Sequence, residues 1–344
     1  MRAAAELSAE GEAMPSAEGR RLVLDIGGTK IAAGVCAPGQ ASVRHRATRP
    51  TRPRRGGAAV VETALELARE VARKAGGPLA GVAAASAGVI DRATGTVASA
   101  TGLMPGWAGT ALGPALAEAL GVPAAVLNDV HAHALGEMRF GAGAGLRNAL
   151  VAAVGTGIGG AVVAEGKVLF GSRGLAGHVG HVGHRLGEGF ACPCGRDGHI
   201  EPVASGTGVV RLYRSRGGSP DVNDGAELRL LADRGDAQAR KAFSDAGAAL
   251  GEVLGSLANC LDPEAIVLSG SLSGAGEYWW APLRAGYRRQ AMDPVRGVPL
   301  VRGTLGGDAP LLGAFAYAAE FQGEECTRFQ GEECTRFQGE ECTR

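Results

Sequence analysis

The chain has 344 residues, of which 45% are apolar and 20% charged, and its formal net charge is zero. This composition predicts a soluble globular protein with room for two domains, and the neutral charge gives no sign of electrostatic binding to nucleic acid or a membrane surface. No apolar run approaches the about 20 residues of a membrane-spanning helix, and residues 1–20 lack the apolar centre of a secretory signal, so we expect a cytoplasmic protein.

Between residues 21 and 320 the hydrophobic pattern predicts strands that alternate with helices, which indicates an α/β architecture. Strands with glycine turns are expected in 21–38, 81–91, 149–171 and 264–276, helices in 56–76, 225–261 and 308–320, and a strand followed by a helix from about Asn128 in 124–143. Strand, glycine turn and strand occur at 21–38 and again at 149–171. This repetition predicts two related lobes that face each other across a cleft.

The two ends of the chain differ from this middle part. Residues 1–20 are polar and rich in alanine, and we expect them to be disordered. Residues 321–344 are FQGEECTR three times without a change, a period of eight that fits neither coiled coils nor known solenoid repeats. We expect this tail to be solvated and disordered as well.

The first glycine turn, DIGGTK at 25–30, is a candidate phosphate-binding loop. Gly27 and Gly28 allow a ligand to approach the backbone closely, Thr29 offers a hydroxyl, and Lys30 brings a positive charge. Asp25 can hold Mg²⁺ through water, because Mg²⁺ prefers oxygen ligands. The alternative is an ordinary hairpin, and this turn alone does not decide between the two, since isolated glycine turns are weak signals.

Two further glycine turns strengthen the phosphate interpretation. Gly155, Thr156 and Gly157 in VGTGIGG form a second candidate loop, and the turn at 269–276 follows a strand in a way that suits a nucleoside. None of the three is a Rossmann or Walker A motif, because the chain continues from the first two turns into a strand rather than a helix.

The segment LNDV contains two polar residues where a strand meets a helix. Asp129 can act as a general base towards a hydroxyl group while Asn128 orients the substrate. The alternative is a helix N-cap, which both residue types favour. Spacing alone favours the cap.

Residues 178–201 hold a candidate zinc site. His181, Cys192, Cys194 and His199 are separated by ten, one and four residues, as in a closed four-ligand structural site. The alternative is a loop with scattered histidines and cysteines, although a cysteine pair of this kind favours zinc. His184 is left over, and we expect it to be exposed.

Two cysteines outside this segment, and the residues at its two ends, remain to be interpreted. Cys36 and Cys260 have apolar neighbours and are predicted to be buried thiols rather than reactive ones. His178 and Glu201 stand at the two ends of the zinc segment. The metal would hold this loop in place for chemistry done by residues other than its ligands, and these two residues are candidates for the groups that it positions.

Taken in order, the motifs resemble the ROK family of sugar kinases and sugar-responsive repressors (repressors, open reading frames and kinases). The likeness covers about residues 21–318 and consists of DIGGTK, LND, GTGIGG, GHxxH followed by CxCG, ExxASG, a glycine-rich turn and LLGA. It implies an actin-like ATPase (ribonuclease H-like) fold with one lobe at 21–127, closed by helix 308–320, and a second at 128–307 that includes 178–201. Only about 20 residues precede the first strand, too few for the repressors' helix-turn-helix, so a kinase is expected.

The resemblance also implies roles for individual residues. Asp129 would be the base that removes the proton of the sugar 6-hydroxyl. The implied sugar contacts are Asn128, His178, Glu201 and Gly88. The implied contacts of ATP and Mg²⁺ are Asp25, Gly27, Gly28, Thr29 and Lys30 in the first loop, Gly155, Thr156 and Gly157 in the second, and Gly270 in the adenosine turn. Zn²⁺ would be structural, and the protein would form a homodimer that binds neither nucleic acid nor membrane.

Three departures from the family pattern bear on the ligands and the substrate. His199 stands where the last zinc ligand is usually cysteine, and Leu103 and Met104 stand where a sugar-contacting asparagine usually precedes PGW. His178 stands where most family members have a glutamate. A histidine at this position is similar to the bacterial N-acetylmannosamine kinases, whose AGHxGH stretch occurs here at 176–181. We therefore expect 6-phosphorylation of N-acetylmannosamine, with glucose as the alternative sugar and a sugar-binding regulator with little kinase activity as the alternative function.

Overall fold

The structure is a computed structural model that describes the backbone of residues 19–328 and the side chains of residues 19–320. Its strands are β1 (Arg21–Ile26), β2 (Lys30–Cys36), β3 (Arg44–Pro50), β4 (Gly81–Ser86), β5 (Val89–Asp91), β6 (Thr96–Ser99), β7 (Ala124–Asn128), β8 (Ala149–Val154), β9 (Ile158–Ala164), β10 (Lys167–Leu169), β11 (Ala265–Ser269) and β12 (Leu300–Arg302). Its α-helices are α1 (Gly57–Ala75), α2 (Leu112–Leu120), α3 (Asp129–Phe140), α4 (Glu201–Ala204), α5 (Gly206–Ser215), α6 (Gly225–Asp233), α7 (Ala237–Leu261), α8 (Glu277–Gln290) and α9 (Ala309–Arg328).

Two five-stranded sheets of the same strand order form the two lobes. The first has the order β3-β2-β1-β4-β7 and the second β10-β9-β8-β11-β12. In each, the first three strands pair antiparallel through a hairpin, and the remaining strands run parallel. The predicted α/β architecture and its repetition are confirmed.

The first sheet is buried on both faces, which explains why β1 is almost continuously apolar. Leu22 and Leu24 belong to a cluster with α1, whereas Val23, between them, packs on the α9 side with Leu311. The second sheet is covered by α7 and its neighbours in the same way. Each lobe thus has its own core, and α9 packs against the first sheet.

Helix α3 lies between the lobes. Ala132 packs with α9, whereas Ala134 packs with β8 and β9 of the second lobe. Gly136 and Gly313 let α3 and α9 approach closely, since a Cβ at either position would meet the backbone of the other helix. The predicted lobe boundary at residue 128 therefore falls at the start of a shared helix, and the second sheet begins only at Ala149.

Several elements differ from the sequence predictions. The helix expected over 225–261 is two helices, because the chain turns at 234–236 and Asp236 caps α7 by accepting from the Ala239 N–H. Strand β3 and helix α8 were not predicted, since β3 is rich in arginine and α8 contains Pro282. Cys36 is buried as expected, but Cys260, at the end of α7, is exposed.

The termini are only partly covered by the structure. Helix α9 continues to Arg328, so the first copy of FQGEECTR is helical rather than disordered, and the predicted helix end at 320 is wrong. The predictions for residues 1–18 and 329–344 lie outside the described residues. Within residues 19–328, no helix combines the length and the apolar character that crossing a bilayer requires.

Candidate active site and metal centre

The parallel strands β1, β4 and β7 end at the same edge of the first sheet. Ile26 pairs with Ser86, and Ser86 pairs with Asn128, so the segments that follow these strands meet there. Asp25 and Asp129, which stand 104 positions apart in the sequence, are brought close enough for the charge of Asp25 to act on Asp129. The sequence motifs DIGGTK and LND therefore share one site.

Asn128 is the N-cap of α3, which confirms the capping interpretation for this residue. Its Oδ1 accepts from the Val130 and His131 N–H groups at 3.0 and 3.1 Å, and its Nδ2 donates to the Gly88 carbonyl and to Asp129 Oδ1, both at 2.9 Å. All four hydrogen-bonding positions of this amide are in use within the protein. Its expected contact with sugar stays a prediction. The structure shows that Asn128 is hydrogen-bonded to Asp129 and so orients its carboxylate.

Asp129 follows as the first residue of α3 and is half-buried. Burial, and then the charge of Asp25, raise the pKa of Asp129 to about 7, against hydrogen bonds from Val130 and Asn128 that lower it. Burial likewise raises the pKa of Asp25 to about 6, opposed by Lys30 and Arg46. A carboxylate that titrates near neutral pH is suited to proton transfer.

The first hairpin leaves open space above its glycines. A Cβ at Gly28 would meet no atom, and one at Gly27 would meet only the Lys30 carbonyl, at 3.4 Å; neither residue has a positive φ. The internal packing therefore does not require glycine at these positions, which leaves ligand approach as the physical reason for it.

Thr51, which the sequence analysis missed, holds this hairpin from below. Its hydroxyl donates to the Gly27 carbonyl at 2.6 Å, its N–H donates to the Thr29 carbonyl at 3.0 Å, and the residue is 1% exposed. Arg46 was also missed; it pairs with Asp308 at 3.2 Å and lowers the pKa of Asp25. No motif marks either residue, because Thr51 reaches the hairpin through the pairing of β3 with β2 and Arg46 meets a residue more than 250 positions away.

The second hairpin, between β8 and β9, lies beside the N-terminus of α5. The Gly206 N–H donates to the Gly155 carbonyl at 2.7 Å, and the hydroxyl of Thr207 donates to the Thr156 carbonyl at 2.8 Å. Ser205 caps α5. A Cβ at Gly155 would meet no atom, as at Gly28. A helix N-terminus beside an open glycine turn is a favourable place for a phosphate.

The third turn packs against the second. Gly270 has φ +84°, and a Cβ there would lie 2.5 Å from the Val154 carbonyl oxygen, so glycine is required for both conformation and space. Arg229 and Arg302, neither predicted from the sequence, both approach the position of a Cβ at Gly274, at 3.2 Å. The structure thus brings the second and third glycine turns to one edge of the second sheet.

Glu201 connects this edge to the candidate metal segment. It is the first residue of α4, and its Oε2 accepts from the Ile158 N–H at 2.8 Å. A Cβ at Gly157 would lie 2.6 Å from the same oxygen, which explains the glycine. On the other side, Val130 of α3 packs on Gly159. Glu201 and Val130, the residue after Asp129, therefore flank the same stretch of β9.

The four predicted metal ligands come together. One ligand atom from each of His181, Cys192, Cys194 and His199 lies within 4.8 Å of all the others, with Sγ–Nδ1 distances of 3.5 Å for Cys192–His181 and 3.3 Å for Cys194–His199. In a tetrahedral zinc site an N–S edge is about 3.6 Å. The donor set and its spacing fit a closed four-coordinate zinc ion.

His178 lies between this cluster and α3. Its ring stacks on His181 at 6.1 Å and contacts the ring of His131 at 6.3 Å. Burial, followed by the charges of these two neighbours, lowers the pKa of His178, which keeps the ring neutral. Its Nδ1 is buried and forms no hydrogen bond of good geometry with another described residue.

His184 is not the exposed, spare histidine that we expected. Its side chain is 10% exposed, its Nδ1 accepts from the Leu186 N–H, and its Nε2 lies 3.1 Å from Glu252 of α7. This contact ties the metal segment to the longest helix of the second lobe.

Comparisons with known proteins agree with this arrangement. A sequence model of the ROK family matches residues 21–320. A glucokinase of Halalkalibacterium halodurans is 32% identical over 312 residues, covering 84% of this chain and 92% of the relative. An N-acetylmannosamine kinase of Yersinia pseudotuberculosis is 34% identical over 303 residues, covering 87% of this chain and 98% of the relative.

A solved structure is similar as well. The ROK family glucokinase of Streptomyces griseus in complex with glucose and AMPPNP superposes with a TM-score of 0.78 at 29% identity, covering 88% of this chain and 100% of that one.

Proposed function

The chain belongs to the ROK family, and from that premise we propose that it transfers the γ-phosphoryl group of ATP to the 6-hydroxyl of N-acetylmannosamine. It has the actin-like ATPase fold and is an ATP-dependent sugar kinase that acts on hexoses. The choice of N-acetylmannosamine over glucose, and the residue roles below, are our proposal.

The observation that carries the mechanism is the environment of Asp129. At pH 7 a carboxyl group with a pKa of about 7 is about half ionised. A sufficient fraction is therefore in the basic form, and that form is a stronger base than an ordinary carboxylate. Asp129 takes the proton of the 6-hydroxyl as the sugar oxygen bonds to the γ-phosphorus, and the bond from that phosphorus to the ADP oxygen breaks. The cap by Asn128 keeps the carboxylate aimed at the hydroxyl.

The glycine turns hold the triphosphate. Gly27, Gly28 and Thr29 approach it from the first lobe and Gly155, Thr156 and Gly157 from the second, with the adenosine on the turn at Gly270. Lys30 supplies positive charge next to Asp25, which would hold Mg²⁺ through water. When bound, Mg²⁺ neutralises charge on the transferring phosphates.

The sugar lies between Asp129 and the metal segment in this account. Glu201 accepts from sugar hydroxyls with the carboxylate that Ile158 orients, and Gly88, whose carbonyl accepts from Asn128, contacts the sugar beside it. A zinc ion on His181, Cys192, Cys194 and His199 performs no phosphoryl chemistry and fixes the loop that carries His178 and Glu201.

His178 supports the choice of substrate. An ionised glutamate only accepts hydrogen bonds, whereas a neutral imidazole can donate one to the carbonyl oxygen of an acetamido group. In this proposal the contact is made by Nδ1 of His178, which has no hydrogen bond of good geometry to another described residue.

The test is a coupled ADP-release assay of N-acetylmannosamine and glucose with the natural protein, His178→Glu and the control His45→Glu. We expect a preference for N-acetylmannosamine of about tenfold or more in kcat/KM, since one well-placed hydrogen bond can discriminate by that much. The preference should move towards glucose in His178→Glu only; His45 is exposed on β3. Higher kcat/KM for glucose in the natural protein, unaltered by His178→Glu, would assign glucose instead.

A sugar-binding regulator is the second candidate, since the fold is compatible with either role. It would be favoured if both sugars raised the melting temperature and neither stimulated ADP release.

A further inference from the structure

The chain passes between the two lobes twice, and both passages meet at one side chain. The first passage runs over residues 141–148, from α3 to β8, and the second over residues 303–308, from β12 to α9. Glu137, in the last third of α3, is 0% exposed and contacts both.

The carboxylate of Glu137 accepts hydrogen bonds from the two passages at once. Oε2 accepts from the Ala142 N–H and the Thr304 N–H, both at 3.1 Å, and Oε1 accepts from the Leu305 N–H at 3.1 Å. The Ser269 hydroxyl, at the end of β11, donates to Oε1 at 3.5 Å. A buried carboxylate held by backbone N–H groups is a strong and direction-dependent anchor.

The backbone is built closely around this carboxylate. A Cβ at Gly303 would lie 2.6 Å from Oε1 and 2.8 Å from the Ser269 side chain, and a Cβ at Gly141 would collide with Oε2. The glycines at the start of both passages are therefore required by Glu137. His133, one turn earlier on α3, reaches the Ser269 hydroxyl at 2.5 Å, which adds a second tie from the same helix to β11.

The same rigid helix carries Asp129 at its other end. Asp129 and Glu137 are eight positions apart, about 12 Å along an α-helix. Because both passages are hydrogen-bonded to Glu137, a change in the relative position of the lobes would act on the helix that carries Asp129.

We propose that Glu137 is the pivot of lobe closure, a positioning residue that couples binding of the nucleotide between the two lobes to alignment of Asp129 with the sugar. The inference rests on the proposed kinase function, because closure matters only if two ligands bind across the cleft. Glu137 contacts neither ligand in this account, so its effect must appear in the coupling between them rather than in either affinity alone.

The experiment measures that coupling by calorimetry. The dissociation constant of N-acetylmannosamine, or of glucose if that is the substrate, is determined with and without a non-hydrolysable ATP analogue, and the ratio is the coupling factor, typically about 5–150 for coupled sites. The variants are Glu137→Gln, which turns amide protons towards the N–H donors, and Gly303→Ala, which displaces the carboxylate without changing charge.

We expect both variants to bring the coupling factor towards one and to lower kcat, with each single-ligand affinity within about twofold of the natural value. Leu254→Ala, in the core of the second lobe away from the passages, controls for stability: it should lower the melting temperature and keep the coupling factor. If Glu137→Gln does not fold, Gly303→Ala decides.

Two results would overturn the inference. A coupling factor of one in the natural protein, or a factor that is unchanged in folded Glu137→Gln and Gly303→Ala, means that Glu137 is only structural. Failure of the natural protein to bind either ligand is a different result, because it refutes the proposed function itself and the pivot with it.

Discussion

The two glycine hairpins have the same place in sheets of the same order, yet they bring different chemistry to the cleft. The first hairpin is flanked by ionisable side chains, with Asp25 before it, Lys30 after it, and Asp129 after β7, two strands away at the same edge of the sheet. The second carries none of its own and relies on backbone N–H groups and the capped N-terminus of α5.

The hydroxyl group of one threonine donates a hydrogen bond to a backbone carbonyl of each hairpin. Thr51 donates to the Gly27 carbonyl and is 1% exposed, whereas Thr207 donates to the Thr156 carbonyl and is exposed. The topology therefore repeats the loop, but its surroundings differ. We propose that the ionisable side chains at the first hairpin add proton and metal chemistry to phosphate binding, whereas the second binds phosphate through N–H groups and the helix N-terminus alone.

The largest test of this division is Asp129→Asn. If charge chemistry belongs to the first hairpin, losing the base should lower kcat by about 10²–10⁴-fold. Nucleotide affinity, which depends on the glycine turns, should change little. The checks are ADP release at saturating sugar and calorimetric titration with an ATP analogue; retained turnover would remove Asp129 as the base.

A smaller effect is expected from Cys192→Ser, which acts on the second lobe only. It should abolish bound zinc, measured by elemental analysis, and raise the sugar KM by about 10–100-fold, the scale on which altered metal surroundings act. The KM for ATP should stay near its natural value. An unchanged zinc content would show that the ligand set is wrong.

Thr51→Val and Thr207→Val sharpen the comparison directly. A lost hydrogen bond costs about 0.5–1.5 kcal/mol, so Thr51→Val should raise the KM for ATP by about 2–10-fold. Thr207→Val should do less, because water can replace its hydroxyl, and Thr51→Ser should restore the natural value. Equal changes in the KM for ATP in the two valine variants would mean that the two threonine hydrogen bonds contribute equally.

The smallest effect concerns pH. The charge of Asp25 raises the pKa of Asp129, so whatever activity remains in Asp25→Asn should have its acid limb at lower pH than the natural limb near pH 7. The profile of kcat/KM against pH measures this. A limb that stays in place would show that burial alone sets the pKa of Asp129.

Stability should follow the same titration with the opposite sign. A carboxyl group whose pKa is raised from 3.8 to about 7 on folding holds its proton more tightly when folded, so the free energy of unfolding falls as pH rises between those values. Asp129→Asn removes this loss, and its melting temperature should exceed that of the natural protein at pH 8 but not at pH 4.

Local sequence signals predicted most of what is local. The glycine turns, the cap at Asn128 and the four candidate ligands of the metal cluster are each encoded within short stretches, and the structure has them where the sequence predicted. Residues whose role depends on distant partners were missed or misjudged: Thr51 acts on Gly27 through strand pairing, and His184 is buried by Glu252 from a helix more than sixty positions away.

By itself, then, the sequence determined the repeated strand–turn–strand units, the motifs of the ROK family and the residue types of the site, because propensity, glycine spacing and ligand spacing are properties of short segments. Only the tertiary structure decided which groups act on each other. The proximity of Asp25 to Asp129, the contact of His178 with His131 and the meeting of both lobe passages at Glu137 all join segments far apart in the chain. Their energies depend on burial and on distances that only the packed fold establishes.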